Sequence, residues 1–121
     1  MTARDRLSWF NFSPGDYMTD PAVRAMSYEQ RGRYVDVLCA MYLRNSGSAT
    51  EDEIRVWAGC SEDEWKHHRE GIQRAFKVTR NGRWIQKRVE VEVREAKKRV
   101  EQARKSGREG AKKRWGSMGL V

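Results

Sequence analysis

Cysteine, proline and histidine are scarce in this chain, at two residues each among 121. Cys39 and Cys60 stand apart with no C-x-x-C pairing, and the adjacent His67 and His68 do not supply the spacing of a tetrahedral zinc site. Neither a disulfide framework nor a bound metal is therefore expected, and a reducing, cytoplasmic setting fits. Cys39 falls inside an apolar helical pattern, where a thiol usually behaves as a small hydrophobe. No apolar run approaches the roughly 20 residues that a membrane-crossing helix needs, and the opening MTARDRLSWF has no hydrophobic core of a signal peptide. Membrane insertion and secretion are not expected. The chain also lacks a GxxxxGK[ST] phosphate loop and a nucleophile elbow. Its two acidic triplets, Glu51-Asp52-Glu53 and Glu62-Asp63-Glu64, sit where helices are expected to begin, and the helix dipole accounts for them without chemistry. We read no enzyme and no cofactor.

Acidic residues are scarce in one region only. Residues 1–82 hold 12 basic and 12 acidic side chains, whereas residues 83–121 hold 13 basic and 5 acidic, so the tail carries the whole net charge of +8. A neutral body with a concentrated cationic arm is the electrostatic layout of a protein that meets a polyanion. The alternative is a basic helix whose charges only solvate an exposed face. With 38% hydrophobic and 35% charged residues, the composition is that of one helix-rich globular domain and an appendage.

Along the chain, residues 9–17 (WFNFSPGDY) read as an extended segment packing its rings on the body, closed by a Pro-Gly turn. Thr19-Asp20-Pro21 starts a short helix. A longer helix is predicted over 27–45, opened by the Ser27/Gln30 capping box, with Tyr34, Leu38, Met41 and Tyr42 on one face and Asn45-Ser46-Gly47 as the stop. Thr50/Glu53 and Ser61/Glu64 make two further capping boxes. They open two short helices, the first with Ile54, Trp57 and Ala58, the second with Trp65, Ile72 and Phe76 inward and His68 covering part of the apolar face. Joined by Gly59-Cys60-Ser61, they have the shape of a helix-turn-helix. Asn81-Gly82, between the strand-formers Phe76, Val78, Trp84 and Ile85, predicts a hairpin with a type I′ turn. That order is the order of a winged helix, with the hairpin as its wing. The last helix starts near Val89, and Val89, Val93, Ala96, Val100, Ala103, Gly107 and Gly110 form a heptad seam. Its two glycines each cost about 1 kcal/mol of helix stability, so the last turns are expected to fray.

The expected fold is mainly α with a small β-hairpin: a winged-helix-like domain over 1–88 and a long basic C-terminal helical arm over 89–121. Within it, the first turn of the second short helix is too acidic to read a major groove, although Lys66, His67, Arg69 and Arg74 further along could meet a backbone. The wing tip is better placed through Arg80, Asn81 and Arg83. The main candidates lie in the arm: Arg104, Lys105, Arg108, Lys112, Lys113 and Arg114 to neutralise phosphates, and Trp115 to stack on an unpaired base. Val89, Val93, Ala96 and Val100 are a candidate face for docking on the body or for a homodimer.

Four segments in order, WFNFSPGDYMTD, SYEQRGRYVDVLCAMYLRNSG, VWAGCSEDEWKHHREGIQRAFKVTRNGRWIQKRVEVE and KSGREGAKKRWG, together resemble the YdaU-like family of phage and prophage proteins. The resemblance runs over 9–116. It implies a winged-helix-like domain in a replication-initiation accessory that binds origin DNA in a bacterial host cell, with the replicative helicase or its loader as protein partner. Members of that family often continue past the basic glycine motif into a second domain, to which helicase recruitment can belong. The alternatives to a DNA-binding accessory are a protein–protein interaction or dimerisation module, a phage-encoded transcription regulator, and an inhibitor of a host nucleoprotein complex.

Overall fold

The computed structural model describes residues 11–117, with side chains to Arg114. Among these residues, six helices and three short strands follow one another as α1 (Pro14–Thr19), α2 (Pro21–Ala25), α3 (Tyr28–Leu43), β1 (Ser48–Thr50), α4 (Glu51–Trp57), α5 (Glu62–Gln73), β2 (Lys77–Val78), β3 (Arg83–Ile85) and α6 (Lys87–Ser117). The strands form one antiparallel sheet in the order β1-β3-β2. The fold is thus mainly α with a small β-hairpin and a long C-terminal helix, and from α3 to β3 its element order is that of a winged helix. In that arrangement α4 and α5 are the helix-turn-helix and β2–β3 the wing. The sequence reading missed β1, because three residues of Ser-Ala-Thr carry no alternation of their own; β3 supplies it with a partner.

All three capping boxes form. Ser27, Thr50 and Ser61 each accept a hydrogen bond from the backbone N–H three residues on, and Gln30, Glu53 and Glu64 reach back to the cap N–H. Two turn readings are corrected. Pro14-Gly15 does not turn the chain but begins α1, since Ser13 caps it and proline suits the first helical position. Trp9 and Phe10 lie outside the described residues. The wing turn is not type I′, which needs φ > 0 at both central residues: Gly82 has φ +81°, whereas Asn81 is not in that region. Gly82 N–H donates to Thr79 O (3.0 Å) and Thr79 N–H to Arg83 O (2.8 Å), a three-residue loop with the glycine as bulge.

The core gathers around Trp84, whose ring centroid lies 5.8 Å from that of Trp65 and 5.5 Å from that of Phe76. Tyr34, Val37, Leu38, Met41 and Tyr42 from α3, Ile54 and Ala58 from α4 and its cap, and Ile72 from α5 close around it. Cys39, expected as a small buried hydrophobe, is exposed, because it falls on the outer side of α3. Cys60 is the buried thiol, and burial pushes its pKa up. His68 is nearly buried and bridges helices, with Nδ1 3.3 Å from Gln30 Nε2 and Nε2 3.3 Å from Glu29 Oε1.

Two contacts aim α6. Buried Gln86 takes the N-cap position: its Oε1 accepts from Arg88 N–H (2.8 Å) and its O from Glu90 N–H (3.0 Å). Its Nε2 donates to Tyr34 Oη (2.7 Å) and Ala75 O (3.0 Å), tying the helix start to α3 and to the end of α5. Gly47, expected as a helix stop, instead lets α6 pass: a Cβ there would sit 2.6 Å from Glu90 N and 2.8 Å from Glu90 Cα. The stop belongs to Asn45, at φ +57°. Val89, Val93 and Ala96 are buried in the chain's own core, so this part of the seam docks intramolecularly and is not open to a second copy. Judged by burial, the arm begins at Lys97. The helix runs unbroken through Gly107 and Gly110 to Ser117, where fraying was expected.

Candidate nucleic-acid interface

Beyond Ala96, α6 leaves the body. Every position over 97–110 and 112–114 is exposed and Ala111 is intermediate. These 18 residues hold nine basic and two acidic side chains and extend about 27 Å at 1.5 Å per residue. A turn of 3.6 residues places Lys97, Lys98, Arg104, Lys105, Arg108 and Lys112 within an arc of about 120°, beside the seam rather than on it. Glu101 is the acidic residue within that arc, and its Oε1 is 3.5 Å from Arg108 Nη2. The sequence reading named Arg104, Lys105, Arg108 and Lys112 but missed Lys97 and Lys98, which projecting the sequence on a helical wheel recovers. Lys113 and Arg114 are exposed and lie off the stripe. Trp115 is on α6, and its side chain lies outside the described ones.

The wing divides its three candidates. Arg80 is exposed at the tip. Asn81 is engaged in the turn, its Oδ1 accepting from Thr79 Oγ1 at 2.6 Å. Arg83 is folded back on the sheet, with Nε donating to Ser48 Oγ at 3.0 Å. The outward cation of the three is Arg80.

The body's remaining cations mostly face carboxylates. On α5, Lys66 lies 3.6 Å from Asp63, Arg74 lies 3.1 Å from Glu70, and Arg69 pairs with Glu51 while covering the Trp84 ring. Glu62, Asp63 and Glu64 at the start of α5 are all exposed. They repel phosphates at the very turn with which a helix-turn-helix ordinarily enters the major groove. Backbone N–H donation from Ser61, aided by Arg33, holds the Glu64 carboxyl below its ordinary pKa, so the charge is firmly present.

Wing tip and arm stand apart. The tip lies at the Arg83 end of β3 and α6 departs from the Ile85 end. α6 then follows the loop after α3, with Glu90 against Gly47 and Lys97 Nζ donating to Asn45 O at 3.4 Å. A ligand touching Arg80 and Arg104 together has to span on the order of 25 Å. Among the described residues no group of His, Cys, Asp and Glu is arranged to hold a metal ion, and no helix is long and apolar enough to cross a membrane.

With this geometry in view, one comparison bears on the chain: the model of DUF1376, described as a protein of unknown function, matches residues 8–94. The chain belongs to that family. No curated protein and no solved structure matches it. The DUF1376 match takes in the winged body and the docked front of α6 and ends before Lys97. The basic stripe thus lies outside the matched residues, whereas the wing lies within them.

Proposed function

We propose that this DUF1376 protein binds nucleic acid, DNA in the first instance, with the basic stripe of its projecting helix as the principal grip. The observation that carries the reading is the charge contrast: six cations and one carboxylate on a single exposed arc of about 120°, beside a body whose helix-turn-helix cations are neutralised by neighbouring carboxylates. Cations so arranged release the counterions of a polyphosphate and give affinity with little sequence readout. Arg80 adds a second, distant contact that only a ligand spanning on the order of 25 Å reaches. The resemblance to the YdaU-like family gives this activity its setting, an accessory of phage or prophage replication initiation with the replicative helicase or its loader as protein partner. The test is a titration of the full chain on duplex and single-stranded oligonucleotides across a salt series. Binding that falls steeply with salt is expected, and absence of salt-sensitive binding to either form refutes the reading.

One observation favours a second reading, a protein-interaction module. The seam does not end with the body: Val100 is 36% exposed, and a Cβ at Gly107 or Gly110 would meet nothing within 4 Å. Val100→Asp tests it without touching the core. A change of oligomeric state supports the module, and an unchanged state removes it.

A further inference from the structure

Most arginines of the helical body are ion-paired. Arg33, Arg44, Arg55, Lys66, Arg69 and Arg74 each face a carboxylate. Arg24 and Arg31 pair with no carboxylate among the described residues, and each lies against an aromatic ring instead. Arg31 Cζ is 4.8 Å from the ring centroid of Tyr28, and Arg24 Cζ is 5.5 Å from that of Tyr17.

Tyr28 opens α3 and is 87% exposed, an unusual position for an aromatic ring that contributes nothing to the core. Its supporting guanidinium is fixed. Arg31 Nε donates to Val23 O (3.1 Å) and Nη2 to Arg24 O (3.2 Å), carbonyls in the last turn of α2 where a cation suits the helix dipole. Arg24 is next to it, with Nε and Nη2 buried and lacking any hydrogen-bond partner. Phe12 packs on Tyr17 at 5.4 Å between centroids and is half exposed. The nearby acids are occupied: Asp20 Oδ1 accepts from Ala22 N–H at 2.9 Å, and Glu29 is held by Arg33 and His68. The outcome is a ledge on which the rings of Phe12, Tyr17 and Tyr28 lie beside the guanidinium groups of Arg24 and Arg31.

We propose that this ledge is a second nucleic-acid contact, taking an unpaired base on Tyr28 beside the positive charge of Arg31 and Arg24, so that the protein holds single strands as well as duplex. It rests on the nucleic-acid reading of the arm and extends it to strandedness. A base in duplex is already stacked on both faces and has none to offer Tyr28, whereas an unpaired base stacks on a tyrosine whatever its identity. Arg31 beneath the ring adds a cation to the stack. Ledge and arm lie at opposite ends of α3, since Tyr28 begins that helix and Lys97 meets Asn45 just past its end. A strand that uses both sites follows the length of α3, about 24 Å for its 16 residues.

The test uses the full chain with a labelled oligothymidylate strand of about 20 nucleotides and a duplex of equal length, long enough to cover such a path. Tyr28→Ala is expected to weaken binding of the strand by about 5- to 150-fold and to leave the duplex within about twofold, whereas Tyr28→Phe keeps the affinity of the native chain. Tyr28 is exposed enough that its replacement spares the fold, which circular dichroism verifies. If Tyr28→Ala changes strand and duplex equally, or changes neither, the ledge is overturned while the arm reading stands. If the native chain binds neither probe, both fall together.

Discussion

Replacing Arg104, Lys105, Arg108 and Lys112 together by glutamine removes four of the six cations on the stripe and touches nothing in the core. All four are exposed on α6, and glutamine has nearly the helix propensity of lysine and arginine, so the fold and its melting temperature should be unchanged. The consequence for binding follows from counterion release. Six phosphate contacts on B-DNA give a slope of log affinity against log salt of about −5, and two contacts give about −2. Between 50 and 200 mM salt the native chain then loses roughly a thousandfold in affinity and the variant roughly tenfold. At the lower salt the variant is the weaker binder, and the two curves converge as salt rises. Fluorescence anisotropy on one duplex across a salt series measures both slopes. A variant with an unaltered slope would mean that the polyanion is held elsewhere, by the wing or the body, and would refute the assignment of the stripe as the grip.

Three further predictions concern the fold that presents the stripe. Gly47→Ala puts a methyl group against the Glu90 backbone at 2.6 Å, where relief requires α6 to lift Val89 and Val93 off the core; the expected loss is about 1–3 kcal/mol by thermal or chemical denaturation, and an unchanged midpoint contradicts the close approach. Gly107→Ala with Gly110→Ala meets open space and should strengthen the exposed half of α6 by about 1 kcal/mol per site, seen as slower amide exchange over 104–114; unchanged exchange would count against a continuous helix there. The third concerns pH. Glu29 is held below the usual carboxylate pKa chiefly by Arg33, Glu53 by the Thr50 backbone N–H and Glu64 by that of Ser61. Because the folded-state values are lowered, their stabilisation is fully present above the ordinary 4.5 and is lost as pH falls through the lowered values. Stability should be flat near neutrality and decline below about 4.5, and Glu64→Gln should make that decline shallower; an identical acid profile in the variant would contradict the role of the cap.

Much of the architecture was legible because its determinants are local. A capping box needs a hydroxyl and a Glu or Gln three residues on, and Ser27/Gln30, Thr50/Glu53 and Ser61/Glu64 satisfy that within one turn of chain. Tyr34, Leu38, Met41 and Tyr42 declared the inner face of α3 by spacing alone, and all four are buried. The errors fall where a distant partner decides. Pro-Gly after Ser13 is compatible with a turn and with a helix start, and the cap formed by Ser13 selects the latter. Glutamine is not a preferred N-cap, and Gln86 becomes one because Tyr34 and Ala75 hold its amide in place. Asn81-Gly82 fitted two hairpin turns, and the one observed has its positive φ at the glycine alone.

The candidate interface follows the same division. That the tail is the cationic part of the chain was readable from the count of charges, since the excess of basic residues is a property of the sequence and survives any fold. Which of its cations share a face needed only the helical period. The fate of the seam did not follow from periodicity, because an apolar stripe has the same spacing whether it packs on its own body or on a partner. Tertiary structure decided it, burying Val89, Val93 and Ala96 and leaving Val100 outside. Tertiary structure likewise turned Arg83 inward to Ser48 while Arg80 stayed outward, and it neutralised the cations of α5. It also brought Arg24 of α2 beside the Tyr17 ring of α1 and tied Arg31 of α3 to the carbonyls of α2. The sequence by itself determined the helices, their caps and where the charge is concentrated, since each depends on residues within a turn or two of one another. The direction in which α6 leaves the body, and hence which charges face solvent, was decided by contacts between residues some 40–50 positions apart, Gly47 with Glu90 and Tyr34 with Gln86, whose energies exist only once the chain has closed on itself.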